Sequence, residues 1–147
     1  MGIVLDAAAF DVLDRSEGAA LRQLLRVALE RGGEVRCAAV TLAEVCRGAA
    51  RTRRVEAAIA RDRGGQRVVV TPTDVRLAKL VGAILHDAGR DSEAIVDAHV
   101  VAVCVDFEVA IVISSDPGDI AGLASAVPGT RIVARAPDLR WNSISAA

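Results

Sequence analysis

Tyrosine is absent from this 147-residue sequence, and with two phenylalanines and one tryptophan the aromatics amount to 2%. That scarcity argues against the ring platforms on which single-stranded bases stack, so contacts with a nucleic acid would fall on its phosphates. Lysine occurs once, at Lys79, and the formal net charge is −1, so a cationic surface must be local rather than global. The three cysteines, Cys37, Cys46 and Cys104, show no Cys-x-x-Cys spacing and sit inside apolar segments. They read as small core residues of a reduced, cytoplasmic protein. No apolar run approaches the roughly 18 residues that mark a membrane span. Residues 1–6 lack the basic region and long apolar stretch of a signal peptide. The expectation is a cytoplasmic protein without membrane attachment.

At 52% hydrophobic and 25% charged, the chain has the composition of a globular protein. A chain of this length buries roughly 68–70% of its unfolded surface, enough for one core, and a single domain over residues 1–147 is expected. Short β-branched runs alternate with longer Ala/Leu segments of helical period, the mark of a parallel sheet flanked by helices. Strands are expected at residues 3–5, 35–39, 67–70, 109–113 and 131–134. Leu21, Leu24, Leu25, Ala28 and Leu29 form a helical stripe that Gly32-Gly33 stops. Further helices are expected from Thr41 to about Gly48 and from Thr52 to Ala60, before the Gly64-Gly65 break. Pro72 is expected to open a long helix ending near Gly89, with Val75, Leu77, Leu80, Val81, Ile84 and Leu85 as its apolar stripe. Asp91 or Ser92 would cap the next helix, and Trp141 would anchor a polar tail.

Carboxylates recur at strand ends and helix starts. Asp6 follows the first strand, Glu44 stands in Val-Thr-Leu-Ala-Glu-Val, Asp97 in Ile-Val-Asp-Ala-His-Val-Val-Ala, and Asp116 with Asp119 in Ser-Ser-Asp-Pro-Gly-Asp. In an open α/β sheet, ligands gather beyond the carboxyl ends of the strands, where strand order reverses. Two unit charges about 4 Å apart repel by about 4 kcal/mol at an effective dielectric near 20, so convergent carboxylates need a cation. Hard oxygen donors select Mg²⁺ or Mn²⁺, ions that also bind phosphate oxygens. Each acid has a structural alternative. Asp6 can cap the helix after it, Thr41-Leu42-Ala43-Glu44 reads as a capping box, and Asp116-Pro117 reads as a cap with proline at the first helical position. Asp97 has the costliest alternative, because it is read as mid-helix among Ile95, Val96, Val100 and Val101. Glu93, one turn before it, shares its face. His86 and His99 lack zinc-site spacing.

The ordered set of motifs resembles the PIN-domain ribonucleases, and within them the toxins of VapBC-type toxin–antitoxin modules. The likeness spans nearly the whole chain. It implies a three-layer α/β/α fold with a five-stranded parallel sheet in order 3-2-1-4-5, a homodimer, and Mg²⁺- or Mn²⁺-dependent cleavage of RNA. By position it assigns Asp6, Glu44, Asp97 and Asp116 to the catalytic and metal-binding set, with Asp119 auxiliary. Ser114 or Ser115 matches a hydroxyl often found beside the pocket. Ala8 departs from the pattern, since relatives commonly carry Ser, Thr or Asn there. The resemblance also implies a cognate antitoxin.

Between residues 47 and 67 seven arginines face only Glu56 and Asp62. Their planar forks suit phosphate, and Arg47, Arg51, Arg53 and Arg54 are the expected RNA contacts. A solvated helix face is the plainer reading. A receiver domain would need paired acids after the first strand and a lysine after the fifth. A haloacid-dehalogenase-type phosphatase would need Asp-x-Asp where this chain has Asp6-Ala7-Ala8. A PIN fold that binds RNA or protein without cutting is the stronger alternative.

Overall fold

In the computed structural model, residues 1–60 and 68–139 are described. Arg61, Arg63, Arg67, the Gly64-Gly65 break and Trp141 lie outside them. The chain runs β1 (Gly2–Leu5), α1 (Ala7–Leu13), a 3-10 turn (Ser16–Gly18), α2 (Ala19–Glu30), β2 (Glu34–Ala38), α3 (Ala39–Val45) and α4 (Ala49–Ala60). It continues through β3 (Val68–Thr71), α5 (Val75–Asp87), a second 3-10 turn (Ser92–Ala94), α6 (Ile95–Cys104), β4 (Val109–Ile113), α7 (Pro117–Ala124) and β5 (Arg131–Arg135). The five strands form one parallel sheet in the order β3-β2-β1-β4-β5, as expected.

Period-2 alternation divides the strand side chains between two helical layers. Ile3, Leu5, Val35, Cys37 and Ile113 pack with Phe10 and Leu13 of α1, Leu21 and Leu25 of α2, Val45 of α3 and Val55 of α4. Val4, Ala38, Ala110 and Val112 point the other way, onto Leu77, Val81 and Ile84 of α5, Val100 and Val101 of α6, and Ile120 and Leu123 of α7. Both faces of the sheet are covered, which is why β1 and β4 are almost continuously apolar. Gly32, with φ of 76°, ends α2 in the left-handed conformation that a glycine adopts at least cost.

Several local expectations are corrected. Helix α5 starts at Val75 rather than Pro72, because the Asp74 carboxylate accepts from the Leu77 N–H at 2.7 Å and fixes the cap there. Val75 therefore leaves the apolar stripe and is 72% exposed. Helix α3 begins at Ala39, so Ala39 is not in β2 and Thr41 is inside the helix with its Oγ1 buried and unpartnered. The capping-box reading of Glu44 falls with it. Asp91 precedes the second 3-10 turn without a side-chain cap bond, and α6 starts only at Ile95. Asp97 thus stands in the first turn of α6 and half-buried, not mid-helix.

Candidate active site

Strand order reverses between β1 and β4, and the residues just past these two strands meet there. The Asp6 N–H donates to the Ile113 carbonyl at 3.0 Å, extending the β1–β4 ladder by one residue. Asp6 is buried, with one carboxylate oxygen accepting from the Ala7 N–H at 2.7 Å and the other from the Ser114 hydroxyl at 2.8 Å. Ser114 is buried as well, and its Oγ accepts from the Asp116 N–H at 3.2 Å. A chain of hydrogen bonds therefore links the ends of the two strands. Alternation selects the serine: Ser114 points inward and Ser115 is exposed. The cap role of Asp6 is present too, so one carboxylate both starts α1 and lies at the switch point.

Asp97 identifies the acidic side chains that share this space. Its carboxyl is pushed up to about 6, first by desolvation and then by the negative charges of Asp6, Asp119, Glu44 and Asp116. The first-turn position in α6 would favour a carboxylate, and desolvation together with the surrounding acids outweighs that effect. Glu44 is raised by partial burial and by Asp6, while Arg47 beside it pulls the other way. The charges of the other four predicted acids thus all reach Asp97, and this acidic basin is the candidate site. Among the described residues no three His, Cys, Asp or Glu side chains are gathered closely enough to enclose an ion.

Asp116 caps α7, with its carboxylate accepting from the Asp119 N–H at 3.1 Å and Pro117 following as expected. Asp119, in the first turn of α7, holds a residue absent from the sequence reading. Both terminal nitrogens of Arg90 reach the same Asp119 oxygen at 3.3 Å. Arg90 and Asp119 line a cleft of about 380 Å³ with Asp91, Glu93, Ala94 and Asp97. Glu93, exposed, is therefore at the cleft rather than away from it. A lone arginine between Gly89 and Asp91 carries no sequence signal for a partner 29 residues ahead.

The predicted basic patch is divided. Arg47 lies close enough to Glu44 to lower its pKa, and Arg53 and Arg54 are exposed. Arg51 is ion-paired with Asp11 of α1. Arg51 and Arg54 line a separate groove between α1 and α4, together with Asp11, Asp14 and Arg15. His99 is buried, and its Nδ1 donates to the Ile95 carbonyl at 2.7 Å, since a carbonyl can only accept. It is spent within its own helix. Cys37 and Cys104 are buried, with burial pushing both thiols up to about 12.

Among the described residues no helix is long and apolar enough to cross a membrane. No curated protein sequence matches this chain. Among solved structures, VapBC2 from Rickettsia felis bound to a DNA fragment from their promoter has a chain similar at TM-score 0.63 and 9% identity, with 92% of this chain and 99% of that one covered. FitAB bound to an IR36 DNA fragment has a chain similar at TM-score 0.59 and 18% identity, with 92% and 95% covered. At such identities the likeness is one of fold. The sequence itself matches the PIN domain family over residues 3–123, a span that holds all five acids of the basin, and the chain belongs to that family.

Proposed function

We propose that this PIN domain is a Mg²⁺- or Mn²⁺-dependent endoribonuclease and the toxin of a VapC-type toxin–antitoxin pair. The observation that carries the reading is the Asp97 carboxyl, pushed up to about 6 first by desolvation and then by the charges of four other acids. An all-oxygen donor set of that charge fits a hard divalent cation that retains several waters. Asp6, Asp97 and Asp116 would hold the ion, with Asp119 auxiliary. When bound, such an ion lowers the pKa of water and offsets the charge that develops on a phosphodiester. Glu44 orients or deprotonates the attacking water, and in-line attack leaves a 5′-phosphate. Ser114 fixes the rotamer of Asp6. Arg47, Arg53 and Arg54 hold the RNA backbone, and Arg51 joins them when it leaves Asp11.

The likeness of fold to chains of the VapBC2 and FitAB assemblies supports a cognate antitoxin as partner. A cytoplasmic homodimer belongs to the same reading, and light scattering of the purified chain tests the dimer. Cleavage of a mixed RNA pool that requires Mg²⁺ or Mn²⁺ and is abolished by Asp6→Asn or Asp97→Asn, with circular dichroism unchanged, is the expected result. Retained cleavage in both variants would reject the assignment. Ala8 favours a second reading, a PIN fold that binds RNA or protein without cutting. Metal titration separates the two, because the second predicts RNA binding that neither Mn²⁺ nor Asp97→Ala alters.

A further inference from the structure

Two arginines in this fold are held by carboxylates in opposite ways, and the difference is informative. Arg36, on β2, donates to Glu34 and Asp106 at 2.7 to 2.8 Å, lies 4.6 Å over the Phe107 ring, and its side chain is 19% exposed. Its fork is fully used, as in an arginine that holds structure together. Arg90 is held loosely instead. Both of its terminal nitrogens share a single Asp119 oxygen at 3.3 Å, longer than the roughly 2.7–2.9 Å of a strong charge-assisted bond, and its side chain is 37% exposed. Among the described residues only its two terminal nitrogens are engaged, both on that one oxygen, whereas all three guanidinium nitrogens of Arg36 are. It is also, among the described residues, the one cation lining a cleft whose other ionisable members are Asp91, Glu93, Asp97 and Asp119.

From this geometry we infer that Arg90 is a substrate-binding residue, which grips a backbone phosphate of the RNA and rests on Asp119 when no RNA is bound. The inference depends on the nuclease reading above and adds a residue and a mode of control to it. A polyanion entering a cleft lined by four acids is repelled unless a cation meets it. Arg90 stands at that cleft with a planar fork that matches a phosphate. Asp119 cannot satisfy Arg90 and a metal ion equally. A metal ion held by Asp119 would compete with Arg90 for its carboxylate and leave the guanidinium free for substrate, so that metal and RNA would assist each other. In the metal-free protein, the Asp119–Arg90 pair weakens binding of both.

The coupling makes opposite predictions for the two ligands. Arg90→Ala should weaken binding of a fluorescein-labelled single-stranded RNA about 5-fold in EDTA, and reduce the salt slope by about 0.7, the share of one phosphate contact. The same variant should tighten Mn²⁺ binding without RNA, read by calorimetry, by roughly 3-fold, because a neighbouring cation has gone. Arg90→Lys should leave Mn²⁺ affinity at the wild-type value and recover only part of the RNA affinity. Asp119→Asn should tighten RNA binding in EDTA, and that gain should be several-fold smaller in the Arg90→Ala, Asp119→Asn double variant, where only relief of repulsion remains. Arg26→Ala, which removes an equal charge on exposed α2, controls for net charge and should match wild type. A gain of undiminished size in the double variant is charge relief alone and overturns the inference. So does parallel weakening of RNA and Mn²⁺ binding by Arg90→Ala, the mark of a structural role. Wild-type cleavage with Arg90 variants that bind both ligands normally overturns the Arg90 assignment alone. Absence of both metal binding and cleavage in the wild type overturns the nuclease reading, and the inference with it.

Discussion

Asp97→Asn should make the metal-free protein more stable while removing its activity. The carboxyl has a folded-state pKa of about 6 against an ordinary 3.8, so ionisation is penalised in the native state. A raised pKa means that the native state binds more protons between these two values, and stability falls as pH rises through that interval. The penalty is complete above about 6 and disappears as pH falls toward 3.8. At full burial a shift of this size corresponds to about 3 kcal/mol, and the partial solvent exposure of Asp97 reduces it to about 1–2 kcal/mol. Asparagine keeps the shape of the side chain and removes the charge. In EDTA at pH 7.5 the variant should therefore melt about 3–6 °C above wild type, and near pH 4 the two should coincide. Differential scanning calorimetry at both pH values measures this. Saturating Mn²⁺ should stabilise the wild type and leave the variant nearly unchanged, narrowing the difference. Equal or lower stability of the variant at pH 7.5 in EDTA would refute the charge-imbalance argument.

Two further perturbations test the scaffold of the basin. Ser114→Ala removes the 2.8 Å bond to Asp6 and the acceptor for the Asp116 N–H, so it should cost about 1.5–3 kcal/mol in urea unfolding and weaken Mn²⁺ binding. An unchanged urea midpoint would show that the hydroxyl does not hold the two strand ends. Cys37 and Cys104 are buried with thiols pushed up to about 12, so at pH 8 a disulfide reagent should titrate no more than Cys46 in the native protein and all three after denaturation. Rapid reaction of two or three thiols under native conditions would contradict this packing.

The parts of this protein that can be read along the chain are those with local causes. Continuous apolar runs gave β1 and β4 their expected places, because a strand covered on both faces leaves no polar position to blur the pattern. Asp116-Pro117 marked the start of α7, because the cap bond spans three residues. The same logic misled at α3, where Thr41 and Glu44 have capping-box spacing and a helix that begins two residues earlier cancels it. At α6 the error ran the other way: a 3-10 turn precedes Ile95, so Asp97 lies in a first turn that periodicity had placed deeper.

Chain order, hydropathy and motif order were sufficient for the α/β class, and the likeness to PIN domains supplied the sheet order and the five acids. Which atoms meet was decided elsewhere. Asp6 and Ser114 are 108 residues apart, Arg51 and Asp11 are 40 apart, and Arg90 and Asp119 are 29 apart. None of these pairs leaves a local mark. The sequence specifies periodicity, caps and the order of acids because each follows from the chemistry of adjacent residues. The raised Asp97 and the loosely held Arg90 exist only once parallel pairing brings β1 and β4 side by side and packs α5, α6 and α7 on one face. Burial and mutual charge are properties of that arrangement.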